Sequence, residues 1–284
     1  MVSRLSCAVC ILVIFSLLIA TSIPSQSEQK EEIKDLLEKK LAEKEAIIWY
    51  LGHSGWAIKT KNHLLIFDYM ESESKPAEPT LATGNINPLE LKDQQVFVFA
   101  SHSAADHYSE DIFAWEKSIK NIFYIFGWQA EKKPNYVCMK ARQRKKIDDM
   151  EILTITSTDA GVGFLIKVDG LVIFHAGDHV HWGGAMDPFA KEIDYLAKSD
   201  KDFDIVFLTI IIGRDLSRWE SITKGAFYAI EKLLPKVMFP MHAGGKEHLY
   251  KKFAQEAERK KIKTKVHCAE NKGDRFFYQN SRIK

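Results

Sequence analysis

The pattern of apolar and polar positions predicts a strand-rich first part followed by strands that alternate with helices. Short apolar runs rich in β-branched and aromatic residues predict strands. They lie at 47–51, 56–60, 63–67, 95–100, 122–127, 146–158, 163–178, 204–212 and 236–242. Within 163–178, the pair Asp169-Gly170 is typical of a two-residue hairpin turn. This order favours one domain over 47–284, built from two β-containing halves.

Helices are predicted from apolar positions spaced three and four residues apart and from capping signals. The polar segment 23–46 has this spacing, which indicates an amphipathic helix that precedes or covers the domain. Ser109 and the acids after it indicate the start of a helix over 109–120. Further helices are predicted over 221–234 and 246–261.

The first 22 residues differ from the rest of the chain. Arg4 precedes an uncharged apolar run over 5–20, and Ala20-Thr21-Ser22 follows, which together indicate a secretory signal peptide over 1–22. The run is slightly short for a membrane span, which needs roughly 20 residues. An uncleaved N-terminal anchor, and with it membrane association, is the alternative. Either interpretation predicts an exported protein, periplasmic or extracellular.

Composition and charge exclude little but do not favour a nucleic-acid partner. Hydrophobic residues make up 46% and charged residues 27% of the chain, as in soluble globular proteins. The net charge is +2, and no long block of one sign occurs. Cys138 and Cys268 are the cysteines outside the leader. They are either a disulfide of an exported domain or two separate thiols.

Histidines and aspartates follow several of the predicted strands directly. His102 follows 95–100, His175 and Asp178 end 163–178, and His242 ends 236–242. Strand ends in a layered α/β protein share a rim where ligands bind. Imidazole nitrogens and carboxylate oxygens are ligands of divalent transition metals. Any one histidine alone would be an ordinary surface or core residue, but the set predicts a metal site.

Five segments, in this order, resemble the metallo-β-lactamase-fold hydrolases, in particular the branch that includes ascorbate-6-phosphate lactonase. They are LGHSGW (51–56), LLIFDY (64–69), SHSAADH (101–107), STDAGVGFLIKVDGLVIFHAGD (157–178) and PMHAGG (240–245). The resemblance implies an α/β fold, a four-layer αββα sandwich with a metal site on one edge. It implies a structural role for Asp68 and metal-ligand roles for His102, Asp106, His107, Asp178 (bridging two metals) and His242.

The chain departs from that family pattern at two places. Ala104 stands where a second histidine of the first metal is expected, and no histidine occurs over 108–174. The first metal would keep His102 and Asp178, with Asp159 as a candidate third donor. The second metal's set is complete at four, and it consists of Asp106, His107, Asp178 and His242. One or two metals per chain are expected, with zinc preferred over manganese and iron.

Four further histidines are candidates near this site. His175, His179 and His181 either rebuild a ligand set or are loop histidines near the substrate. His53, in LGHSGW, is a candidate to face the site from the opposite sheet.

The favoured function is an exported metal-dependent hydrolase that uses metal-activated water on a small-molecule ester, lactone or phosphodiester. Asp106 would ligate the metal and orient the nucleophile, and Asp159 or a histidine would assist proton transfer. Two alternatives remain open. One is a non-catalytic, metal-stabilised binding protein, and the other is a membrane-proximal phospholipid hydrolase. The oligomeric state is not predicted.

Overall fold

Short, almost fully buried strands build two sheets in the computed structural model, which describes residues 25–70, 76–212 and 216–284. The first sheet contains β1 (Ala46–Gly52), β2 (Gly55–Lys59), β3 (Leu64–Phe67), β4 (Gln95–Ala100), β5 (Asn121–Phe126), β6 (Tyr136–Cys138), β14 (Arg275–Gln279) and β15 (Arg282–Ile283). The second sheet contains β7 (Arg144–Ile147), β8 (Met150–Thr156), β9 (Val162–Val168), β10 (Leu171–His175), β11 (Ile205–Thr209), β12 (Val237–Met241) and β13 (Lys265–Val266). The strand orders are β15-β14-β1-β2-β3-β4-β5-β6 and β13-β12-β11-β10-β9-β8-β7.

Helices cover the outer face of each sheet. On the first sheet lie α1 (Gln26–Glu38) and two 3₁₀ helices, Leu81–Thr83 and Glu110–Lys117. On the second lie α2 (Asp187–Ser199), α3 (Trp219–Leu233) and α4 (His248–Arg259). Apolar side chains of both sheets fill the space between them. The predicted four-layer αββα sandwich is therefore confirmed. None of the helices in the described ranges has the length and apolar character that a membrane span needs.

Parallel pairing aligns the strand ends that carry the candidate ligands. β3, β4, β5 and β6 run parallel to one another, as do β10, β11, β12 and β13. The carboxyl ends of parallel strands meet at one edge of a sheet. Two such edges, one from each sheet, form the rim on which the site lies.

Three element predictions need correction. The predicted helix over 23–46 ends at Glu38, and the chain then runs without helix into β1. Within the predicted helix over 109–120, residues Glu110–Lys117 form a 3₁₀ helix after the N-cap Ser109, and its buried residues Ile112 and Trp115 lie on one face. The single strand predicted over 146–158 is a hairpin, split where Asp148 adopts a φ of 56°.

The sequence missed one helix and several short strands, whereas its predictions for the β9–β10 turn and for separate thiols agree with the structure. Sequence reasoning missed α2, the short edge strands β6, β13 and β15, and β14, which lies between β15 and β1. The hairpin turn at Asp169-Gly170 is confirmed, since both residues have positive φ, 49° and 78°. Cys138 and Cys268 are free thiols, so the interpretation of two separate thiols holds. The predicted signal peptide over 1–22 lies outside the described residues.

At the end of the sandwich away from the strand ends that carry the ligands, a buried carboxylate joins the two sheets. Asp169, in the β9–β10 turn, accepts hydrogen bonds from Thr60 Oγ1 at 2.6 Å, Asn62 Nδ2 at 2.6 Å and His63 Nδ1 at 3.0 Å. His63 Nε2 lies 3.0 Å from Asp149 Oδ1, in the turn between β7 and β8. We call Thr60, Asn62, His63, Asp149 and Asp169 the inter-sheet latch.

The latch shifts the pKa of both its buried members. Burial alone would raise the pKa of Asp169, but the donors from His63 and Thr60 hold it well below its usual range. Burial alone would lower the pKa of His63, but Asp169 and Asp149 raise it. The stabilisation from Asp169 is present above about pH 4 and is lost as pH falls through its folded pKa. The stabilisation from His63 is present below about pH 6.5 and is lost as pH rises through its folded pKa.

Asp169→Asn tests the latch. Asparagine tolerates positive φ, so the turn is retained while the buried charge is removed. We expect the free energy of unfolding to fall by about 2–4 kcal/mol between about pH 4 and 6.5, and the difference from wild type to shrink on both sides. Urea denaturation across pH measures it, with the surface variant Asp93→Asn as control. A difference that does not change with pH would show that charge plays no part.

Candidate metal centre

The candidate ligands come from four loops on the same rim of the sandwich. The first sheet contributes His53 from the β1–β2 turn and the segment 102–107 after β4. The second sheet contributes Asp178 after β10 and His242 after β12. The site therefore forms only where the two sheets meet.

Asp106, His107, Asp178 and His242 converge at this rim. The Nε2 atoms of His107 and His242 are 3.1 Å apart, and Asp178 Oδ1 lies 3.1 Å and 3.2 Å from them. Asp106 Oδ2 lies 3.9 Å from His107 Nε2 and 3.8 Å from His242 Nε2. Bonds of about 2.0–2.2 Å in a tetrahedral site place donors roughly 3.4 Å apart. His107, Asp178 and His242 therefore have the spacing of ligands around one metal ion, and Asp106 lies slightly farther from the two histidines.

The chemistry of the donor set fits a divalent cation. Asp178 Oδ1 is buried and makes no well-aligned hydrogen bond to any described residue, although two imidazole nitrogens lie within 3.2 Å of it. Burial alone would lower the pKa of His107, but the carboxylates of Asp68 and Asp178 raise it to about 10. The electrostatic potential at the His107 ring therefore favours a positive charge. A metal bound here would take the place of that proton.

Asp68 orients His107 from below the site. It is buried at the end of β3, where it accepts hydrogen bonds from Ser101 N at 2.7 Å, Ser101 Oγ at 2.8 Å and His107 Nδ1 at 2.7 Å. Burial alone would raise the pKa of Asp68, but His107 and the Ser101 backbone lower it. A carboxylate on one ring nitrogen fixes the tautomer and leaves the other nitrogen for the metal. Asp68 has the structural role that the family resemblance implied.

His102 and Asp178 mark the first metal position. His102 Nε2 lies 3.6 Å from Asp178 Oδ2, and His102 Nδ1 lies 2.9 Å from Ser101 Oγ. The side chain of Ala104 is exposed and offers no donor, and its carbonyl accepts the His107 amide. Among the described residues, His107 is the one further residue grouped with this pair, and it also belongs to the second position.

Asp159 lies on the site's rim but apart from these donors. Its carboxylate is exposed, its amide donates to Ser157 Oγ at 3.2 Å, and it belongs to none of the described groups of candidate metal ligands. The same loop contacts the site at Gly161, two residues after Asp159. A Cβ added to Gly161 would lie 2.7 Å from His102 Cβ.

The three histidines after β9 have other surroundings and do not join the described ligand groups. His175 is buried beneath the site, with Nε2 2.9 Å from Ser54 O and its ring stacked on Phe67. His179 stacks on Phe189. His181 lines a cavity of about 490 Å³ together with Trp182. The prediction that they could rebuild a ligand set finds no support. The position of His181 beside a substrate-sized cavity agrees with the alternative, a loop histidine near the substrate.

His53 is the site residue that sequence reasoning left least defined. Its Nε2 lies 3.4 Å from Asp106 Oδ2, and its ring centroid lies 3.9 Å from that of His242. It therefore faces the site from the β1–β2 turn. The sequence signal was a histidine between two glycines at a hairpin turn, which indicates a tight turn but not a direction for the side chain.

Comparison with known proteins places this geometry in a family. A family model described as "Beta-lactamase superfamily domain" matches residues 47–242. No curated protein matches the chain.

Solved structures share the fold at low sequence identity. Igni18, a metallo hydrolase from Ignicoccus hospitalis, is 18% identical with a TM-score of 0.59, over 83% of this chain and 99% of that chain. A putative metal-dependent hydrolase from Parabacteroides distasonis is 15% identical with a TM-score of 0.53, over 78% of this chain and 92% of that chain. CmlA, a diiron beta-hydroxylase from Streptomyces venezuelae, is 11% identical with a TM-score of 0.55, over 85% of this chain and 55% of that chain. The likeness at these identities concerns the fold.

Proposed function

The chain belongs to the beta-lactamase superfamily, with the fold of its metal-dependent hydrolases, and on that premise we propose that it hydrolyses a small molecule with one bound divalent metal. The observation that carries the proposal is the convergence of Asp106, His107, Asp178 and His242 with donor distances of 3.1–3.9 Å. Zinc suits a set of two imidazoles and two carboxylates, and manganese and iron are the alternatives.

The residues of the site have different roles in the proposed hydrolysis. A divalent metal at this point supplies a Lewis acid and lowers the pKa of water towards neutrality. Asp106 is 48% exposed, so its carboxylate can also orient a water that reaches the site from solvent. Asp159, exposed on the same rim, is the candidate that transfers a proton to the leaving group.

The substrate class that suits this site is an ester, lactone or phosphodiester. A cavity next to the loop that follows Asp178 is lined by Thr158, His181 and Trp182, among others, and so combines hydrogen-bonding groups with an apolar wall. None of the candidate metal ligands lines it, so its use by substrate is part of the proposal. Export through the leader over 1–22 completes the proposal and rests on the sequence alone.

Metal content with hydrolysis of generic ester, lactone and phosphodiester substrates tests the proposal. Wild type purified without chelator is expected to hold about one metal per chain and to turn over one of these classes. Asp178→Ala is expected to lose both the metal and turnover, since Asp178 Oδ1 lies beside both second-position histidines. Ala104→His is expected to raise occupancy towards two metals, because it adds an imidazole near His102. A wild type that binds no metal in excess Zn²⁺, Mn²⁺ or Fe²⁺ would reject the proposal.

A second candidate function is a metal-stabilised binding protein without turnover. The exposed methyl group of Ala104 favours it, because the first metal position lacks a donor there. This candidate predicts a bound metal and a higher unfolding temperature with metal, but no hydrolysis of any of the three substrate classes.

A further inference from the structure

We infer that His53 is a protein ligand of the metal bound by Asp106, His107 and His242, an assignment that rests on the proposed metal centre. Each of the four residues offers one donor atom, and these atoms all lie within 4.8 Å of one another. Nothing in the family resemblance assigns a ligand at this position. The inference comes from the geometry of the β1–β2 turn.

The free nitrogen of His53 is directed towards the cluster. Nε2 is buried and makes no well-aligned hydrogen bond within the described residues, and its nearest charged neighbour is Asp106 Oδ2 at 3.4 Å. The opposite nitrogen, Nδ1, faces Gly244, where an added Cβ would lie 3.4 Å away. A buried imidazole nitrogen whose nearest polar contact is long and poorly aligned is costly unless a better partner, such as a metal, binds it. Coordination satisfies it.

A backbone hydrogen bond holds His53 next to His242, another candidate ligand. His242 N donates to His53 O at 2.9 Å, which ties the β1–β2 turn of the first sheet to the end of β12 in the second. Both residues have positive φ, 53° and 74°, a conformation that costs a non-glycine residue roughly 1–2 kcal/mol. Two histidines held in this conformation at one site are typical of backbone strain that is retained where a side chain must be aimed.

His53 offsets the imidazole that is missing at position 104. The first metal position lacks that histidine, whereas the second gains one from a different loop. The second position then has four donors in His53, Asp106, His107 and His242, and Asp178 Oδ1 lies within 3.2 Å of the His107 and His242 nitrogens. Metal binding is therefore concentrated in one donor-rich site instead of being shared between two incomplete ones.

The test is to replace His53 and to measure metal binding directly. Asparagine is the substitution of choice, because it tolerates positive φ but is too short to reach the cluster. We expect His53→Asn to weaken Zn²⁺ binding at least about 100-fold in competition with a chromophoric chelator, since loss of an outer-shell partner alone costs about 10–100-fold. The visible absorption of the Co²⁺-loaded protein is expected to change in energy and intensity.

The control is His267→Gln, which removes a partly buried imidazole outside the cluster. It is expected to leave Zn²⁺ affinity within about threefold of wild type and the Co²⁺ spectrum unchanged. Wild-type affinity with an unchanged Co²⁺ spectrum in His53→Asn would overturn the inference. Weakened binding with an unchanged spectrum would also overturn it, because His53 would then act only through Asp106. If the variant fails to fold, X-ray absorption of the Zn²⁺-loaded wild type decides: three imidazole ligands support the inference and two reject it.

Asp178→Ala, measured in parallel, separates the two proposals. Loss of metal in Asp178→Ala with retention in His53→Asn rejects the role of His53 and leaves the metal centre intact. Absence of metal from the wild type rejects both.

Discussion

Asp68→Ala is expected to abolish stoichiometric metal binding and to lower the free energy of unfolding by about 3–5 kcal/mol. The carboxylate accepts three hydrogen bonds, two from Ser101 and one from His107 Nδ1. Alanine would leave these donors buried without a partner and would free the His107 ring to rotate or change tautomer. Urea denaturation of the metal-free protein and elemental analysis measure the two effects separately.

Asp68→Asn is the matched variant for Asp68→Ala. Asparagine fits the φ of 40° and keeps one acceptor oxygen, so we expect a smaller loss of stability than with alanine. Metal binding is still expected to weaken, because the amide cannot hold the His107 tautomer as a carboxylate does. Wild-type metal content in Asp68→Ala would show that His107 does not depend on this contact.

Gly161→Ala is expected to have the second large effect. Gly161 has a φ of 66°, and a Cβ there would lie 1.9 Å from Ser101 O and 2.7 Å from His102 Cβ. Relief of the clash requires the backbone to shift at Gly161 or at Ser101. Either shift would disturb the hydrogen bond of 3.1 Å from Val162 N to Ser101 O. We expect a loss of about 3–5 kcal/mol in the free energy of unfolding, with weaker metal binding.

Gly184→Ala separates the clash from the backbone strain. Gly184 has a similar φ of 71°, and an added Cβ there meets no atom within 4 Å. It is expected to cost only about 1–2 kcal/mol, the price of positive φ alone. Equal losses in the two variants would mean that the loop over 157–161 yields easily and does not fix His102.

The sequence predicted the sandwich because its central strands are continuous apolar runs. β4, β5, β11 and β12 are buried on both faces, so nearly every residue in them is apolar and the pattern is clear. The edge strands are short and half-exposed, and their patterns resemble loops. The helix α2 was missed although Phe189, Ile193 and Leu196 have helical spacing, because its N-cap residue, Met186, is not a capping type and makes no side-chain capping hydrogen bond.

Candidate ligands were predictable only as far as they follow strands. His102, Asp178 and His242 come directly or soon after strong strand patterns, so their shared rim could be expected. His53 projects from a tight turn, and the direction of its ring depends on a backbone conformation and on a contact with the other sheet. His175 also ends a strand, yet its ring lies beneath the site against Ser54 O. Sequence periodicity indicates a face of a strand but not which atoms of a histidine remain free.

The origin of the candidate ligands in both sheets leads us to expect an effect of metal on the folding kinetics of the protein. His53, His102, Asp106 and His107 follow strands of the first sheet, and Asp178 and His242 follow strands of the second. The proposed coordination set can form only once the two sheets have docked, and we expect this docking to follow the transition state for folding. An ion held there stabilises the native state more than the transition state, so it slows unfolding and leaves the rate of folding almost unchanged. The lifetime of the folded chain then depends on the free metal concentration around it.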